Sequence, residues 1–143
     1  MRIKKVFSTG TIHDVDLYLK LQDLDLTNPN FKGCGNEFKS NRDWWVYTDT
    51  KGQIVAYCGC IYSEGICIFN RAWVKRQYRR QGLHTKMIRA RLNAAKKTCK
   101  YAITYTIYTN FASANNLTKL GFKLYEPEYK YGGEALYFIK KLA

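Results

Sequence analysis

No acidic residue occurs between Glu64 and Glu126 in this chain of 143 residues. That gap is the most informative of several absences. No apolar run approaches the 18 or so residues of a membrane span, which excludes a spanning helix. The start, Met1 to Phe7, is basic and leads into polar sequence rather than an apolar stretch, so the reading is no secretory signal and a cytoplasmic protein. Five cysteines, an odd number, do not make a disulfide framework and read as free thiols in a reducing compartment. There are only two prolines, and no Pro/Gly linker, repeat or low-complexity stretch divides the chain, so 1–143 reads as one domain. With 46% apolar and 24% charged residues, the composition excludes disorder of the whole chain.

What is present is charge, and it sits on one side of the sequence. The net charge is +13. Residues 1–70 hold eight acids and eight bases, whereas residues 71–143 hold sixteen bases against three acids. This asymmetry predicts a polyanionic partner for the second half: cofactor phosphates, nucleic acid or a membrane surface. A merely solvated basic face is the plainer alternative.

Periodicity gives an α/β plan. Lys4–Phe7 reads as a strand and Thr11–Leu24 as a helix, with Thr11 as its N-cap, Asp14 at capping-box distance, and Leu17, Leu21 and Leu24 on one face. Residues 27–43 read as a long loop, and His13 as a helix surface residue. Trp44–Thr48, Gln53–Tyr62 and Ile66–Val74 read as strands joined by turns at Asp49–Gly52 and Ser63–Gly65. A helix is expected over Leu83–Lys97, with Leu83, Met87, Ile88, Leu92 and Ala95 inward and Lys86, Arg89, Asn93 and Lys97 on another face. Tyr101–Thr109 is β-rich, Ser113–Leu120 fits a short helix closed by Gly121, and Phe122–Tyr125 and Ala135–Lys140 close as strands.

The chemistry concentrates in Val74-Lys75-Arg76-Gln77-Tyr78-Arg79-Arg80-Gln81-Gly82-Leu83-His84-Thr85. This segment leaves a strand, passes a basic turn and opens a helix. A helix start has unsatisfied N–H groups and partial positive charge. Gly82 lets the backbone approach closely, Arg79 and Arg80 add charge-assisted donors, and Thr85 adds a hydroxyl. The pattern is that of a pyrophosphate cradle. It has neither the Walker A nor the dinucleotide glycine spacing.

These residues resemble the signature of the GNAT superfamily of acyl-CoA N-acyltransferases through Val74, Tyr78, Arg79, Gly82 and Leu83. A second family signature is matched by Asn110, Ser113, Leu120, Gly121 and Phe122. The element order is similar to the family's over nearly the whole chain. The resemblance implies a mixed, mostly antiparallel sheet of six to seven strands with about three helices. It also implies acetyl-CoA as co-substrate, no metal, and transfer of an acetyl group to a primary amine. Val74 would pair its backbone with the pantetheine arm, the amides of residues 79–85, Gln81 among them, would hold the pyrophosphate, and Asn110 and Ser113 would lie near the pantetheine. A backbone N–H in Ala72–Val74 would polarise the thioester carbonyl.

Three departures matter. His84 stands where the family has Gly or Ala, Arg80 where Gly is common, and Leu117 where a Tyr often protonates the departing thiolate. Tyr108, near Asn110, is the substitute acid. The strand Ile66–Val74 carries no carboxylate, and Glu64, just ahead of it, is the candidate base. A lysine amine with pKa ~10.4 is unprotonated about once in ~2,500 molecules at pH 7, a cost of roughly 4.6 kcal/mol, whereas an α-amine near pKa ~8 needs far less help. An acceptor of low pKa follows: an α-amine, an aminoacyl group or an exocyclic base amine, including one carried on nucleic acid. The competing class is a basic nucleic-acid binder that keeps the fold without acetyl transfer, to which Lys86, Arg89, Lys96, Lys97 and Lys100 point. Among the remaining residues, Cys58, Cys60, Trp44 and Trp45 read as core. Cys34 is a candidate exposed thiol, and Tyr129, Tyr131 and Gly132–Gly133 form a candidate acceptor loop.

Overall fold

The computed structural model describes residues 2–8, 10–31, 42–130 and 134–142. Cys34, Tyr131, Gly132 and Gly133 lie outside the described residues. The order is β1 (Ile3–Ser8), β2 (Thr11–Ile12), α1 (Val15–Thr27), a 3-10 turn (Pro29–Phe31), β3 (Arg42–Thr48), β4 (Ile54–Ser63) and β5 (Ile66–Val74). A second 3-10 turn (Arg76–Tyr78), α2 (Leu83–Ala95), β6 (Tyr101–Ile107), α3 (Phe111–Lys119), β7 (Lys123–Leu124) and β8 (Ala135–Lys141) follow.

Eight strands form one sheet in the order β2-β1-β3-β4-β5-β6-β8-β7, antiparallel at every step except β5–β6. The sheet has one strand more than the expected six to seven. The addition is β2, two residues that the sequence reading assigned to the start of the first helix. Asp14, not Thr11, caps that helix: its Oδ1 accepts from the Leu17 amide at 3.1 Å. Thr11 instead pairs with Ser8 in the sheet, and His13 precedes the helix, its amide donating to the Val6 carbonyl.

The sheet is buried on both faces at its centre. Along β3, Trp44 and Val46 join Tyr18 and Leu21 of α1, while Trp45 and Tyr47 join the core under α2 and α3. This alternation is the two-residue period of a strand. The expected inward stripe of α2 holds, with Leu83, Met87, Ile88 and Ala95 buried. Arg91 is buried with them. Its Nε donates to the Met87 carbonyl, Nη1 donates to the Gly59 carbonyl, and its guanidinium lies 4.3 Å from the centre of the Phe69 ring. The sequence reading did not assign Arg91 to the core. Cys58 and Cys60 are core thiols, and burial pushes the Cys58 thiol up to about 12.

Candidate active site

Two features of β5 prepare the site. First, Arg71 is an extra residue between the pairs Cys58–Ala72 and Gly59–Asn70, a bulge with φ of +41°. A bulge bends its strand and raises the local twist. Second, β5 pairs with β6 only from Ile66–Tyr101 to Ile68–Ile103, although β5 runs on to Val74 and β6 to Ile107. The two parallel strands therefore part beyond the third pair. The Thr104 hydroxyl, donating to the Phe69 carbonyl at 3.3 Å, is a side-chain contact at that point. Because the strands are parallel, the starts of α2 and α3 emerge at the same end of the sheet, on either side of the parting.

The Arg71 side chain turns to the α1 side. Its Nε lies 3.2 Å from the Asp25 carboxylate, and its guanidinium lies 4.8 Å from the centre of the Phe31 ring. Tyr57 donates its hydroxyl to Asp25 at 2.8 Å, and Asn28 donates its amide to Tyr57 at 3.0 Å. Burial, then the Asp25 charge, raises the Tyr57 phenol. This network was not legible in the sequence, because its members are 46 positions apart at most and share no motif.

At the end of β5 the chain makes a tight basic loop. The Lys75 amide donates to the Val55 carbonyl, and the Arg79 guanidinium donates through Nε to the Val74 carbonyl at 3.0 Å. Arg79 thus folds the loop back onto the strand. The side chain of Gln81 does the same on a smaller scale, donating to the Gln77 carbonyl at 3.3 Å. Arg80 (φ +63°) and Gly82 (φ +81°) both take left-handed backbone conformations, and Gly82 caps α2. For Arg80 this costs roughly 1–2 kcal/mol. Among the described residues, none of the six amides from Arg80 to Thr85 donates to a protein acceptor. Loop and helix start together leave a contiguous run of N–H groups without acceptors, which suits an anion.

His84 does not add a cation to that run of amides. Its Nδ1 lies 3.1 Å from the Asn116 side-chain nitrogen of α3, a donor, so Nδ1 accepts and the ring proton sits on Nε2. Burial, with the Arg91 charge second, holds the imidazole down at about 4 instead of the ordinary 6.5. Across the parting, Asn110 caps α3, its Oδ1 accepting from the Ser113 amide at 3.2 Å. Tyr108, just past β6, is half exposed, and its amide donates to the Glu134 carbonyl. Leu117 is buried under α3. The structure therefore gathers Val74, Arg79 to Thr85, Tyr108, Asn110 and Ser113 at one end of the sheet. Glu64 is not among them. It lies exposed in the turn before β5, and the eight residue steps from Ile66 to Val74 put it about 26 Å from the loop.

The family model for the acetyltransferase (GNAT) domain matches residues 40–124, more than half of the chain. The chain belongs to the GNAT acetyltransferase family. Comparison with curated proteins gives no match. Solved GNAT-fold structures resemble it closely in shape and little in sequence. A GNAT-family acetyltransferase from Staphylococcus aureus Mu50 superposes with a TM-score of 0.70 at 13% identity, over 99% of this chain and 100% of that one. An IAA acetyltransferase from Bacillus cereus superposes at 0.72 with 11% identity, over 99% of each chain. A Bacillus anthracis protein solved in complex with acetyl coenzyme A superposes at 0.62 with 17% identity, over 73% of this chain and 64% of that one. Identities this low establish the shared GNAT fold.

Proposed function

We propose that this GNAT protein is an N-acetyltransferase that uses acetyl-CoA and a primary amine. The observation that carries this reading is the run of six amides from Arg80 to Thr85 without protein acceptors, beside Arg79 and at the parting of β5 and β6. These donors suit a pyrophosphate, and the side of β5 without ladder pairs beyond Ile68 suits the amides of a pantetheine arm. The Val74 carbonyl is already held by Arg79, so the pantetheine arm would use the main-chain N–H groups of Ala72–Val74. One of these would also polarise the thioester carbonyl.

In the transfer, the acceptor nitrogen, unprotonated, forms its bond to the acetyl carbon within a ternary complex. The carbon–sulfur bond breaks, the thiolate takes up a proton, and the nitrogen releases one to solvent as the amide forms. Buried Leu117 supplies none, so Tyr108 is the proton donor in this reading. Two carboxylates near β5 do not serve as base: Glu64 is at the wrong end of the strand, and Asp25 is held by Arg71 and Tyr57. That supports an acceptor amine of low pKa, which is substantially unprotonated at neutral pH.

Calorimetric titration with acetyl-CoA tests the cradle. Saturable one-to-one binding is expected, weakened at least about a hundredfold in Arg79→Ala/Arg80→Ala, since each charge-assisted hydrogen bond contributes roughly 1.5–3 kcal/mol. Absence of binding at millimolar acetyl-CoA would overturn the reading.

A further inference from the structure

On the outward side of α2, Lys86, Arg89 and Asn93 are exposed at spacings of three and four, and Lys96 and Lys97 continue the line past the helix end. At 1.5 Å per residue, this stripe runs about 17 Å from Lys86, in the first turn of α2, to Lys97, well past the single turn that the cradle amides occupy. Neither Lys86 nor Arg89 meets a carboxylate among the described residues, and α2 contains none. A solvated helix face ordinarily interleaves signs, because like charges three or four apart cost a few tenths of a kcal/mol per pair. Retained one-sign repulsion points to an anionic partner.

The stripe also borders a groove. A shallow, open depression lies between the flank of α2 and the ends of β1 and β3, bordered by Ile3, Tyr47, Lys86, Arg89, Ala90 and Asn93. Half-buried Ile3 and Ala90 give it a small apolar floor, and Lys86, Arg89 and Asn93 form its rim. We propose that this groove and stripe dock single-stranded nucleic acid, with phosphates on Lys86, Arg89, Lys96 and Lys97 and a base in the groove. Bases in a duplex are stacked and cannot enter such a recess, whereas unstacked ones can. A lipid surface fits less well, because adhering helices place large apolar side chains beside their bases, and the outward positions of α2 are Lys, Arg and Asn. Resting on the acetyltransferase reading, this surface assigns the acceptor amine to a polynucleotide.

The test is fluorescence anisotropy with a labelled oligouridylate about 12 nucleotides long, within the site sizes of single-strand-binding domains. Four phosphate contacts predict binding at about 50 mM salt, with log K falling against log salt at a slope near −2.8. Arg89→Glu/Lys97→Glu, both beyond the first turn of α2, should weaken binding at least tenfold and flatten the slope by about 1.4. Its affinity for acetyl-CoA should be unchanged. No binding to the oligonucleotide, equal affinity for a blunt duplex, or preference for anionic phospholipid vesicles would overturn the proposal. So would a variant that loses acetyl-CoA but keeps the oligonucleotide, since the groove would then serve the cofactor. If the wild type binds the oligonucleotide but not acetyl-CoA, the docking surface stands and the acetyltransferase reading falls.

Discussion

The imidazole of His84 carries its own pH window. Burial favours its neutral form, and the Asn116 amide donates to Nδ1, which the neutral ring alone can accept. The native state therefore resists a proton that the unfolded chain binds below about pH 6.5. The contribution is full above that pH and declines as pH falls towards about 4, the folded value. The loss reaches roughly 3 kcal/mol across this window at about 1.36 kcal/mol per unit. Urea unfolding at pH 7 and pH 4.5 should show His84→Gln losing about 2–3 kcal/mol less than the wild type between the two conditions. Equal losses would mean the imidazole is not buried neutral. Nothing in the sequence separated this role from a ligand-facing one. The motif located His84 beside the cradle, but the partner on α3 lies 32 positions away.

At the scale of elements, the sheet centre shows how tightly neighbouring strands constrain each other. A Cβ built on Gly59 of β4 would stand 3.0 Å from two carbons of the fully buried Trp44 ring on β3. Gly59→Ala should therefore cost about 1–3 kcal/mol through overpacking, read as a lower denaturant midpoint at unchanged m-value. An unshifted midpoint would mean that the Trp44 layer yields. Elements with long apolar runs, such as β4 and β5, or a 3.6-residue period, such as α2, were legible, as was the basic loop between β5 and α2, because its residues are contiguous. The first helix start was misplaced because Thr11 and Asp14 are both good caps, and only the pairing of Thr11 with Ser8 decides between them. The Arg71 bulge was invisible, since an extra residue in a strand appears only against its partner strand. So was the burial of Arg91, whose contacts are carbonyls and a ring rather than a carboxylate. The placement of Glu64 failed for a related reason: adjacency in sequence to β5 said nothing about which end of β5 mattered.

At the scale of the whole molecule, a charge of +13 with all the excess after residue 70 means self-repulsion in the compact state. Screening shortens from about 30 Å at 0.01 M to about 3 Å at 1 M salt. The melting temperature should accordingly rise by about 3 °C or more between these limits in sodium chloride, with most of the gain before physiological strength. A flat profile would show that the bases are already neutralised within the fold. Charge counting gives this expectation from sequence alone, whereas the depression beside α2 required the flank of the helix to meet β1 and β3.

The parting of β5 and β6 has a mechanical consequence. Five strands lie on one side of it and three on the other, and within the sheet only three residue pairs stitch the two panels together. The panels are joined like the covers of a book near its spine and open towards the end where the helices begin. Whatever occupies the opening becomes an additional page bound to both covers. The parallel seam of the sheet therefore runs alongside the candidate site, and a ligand seated there would touch both panels.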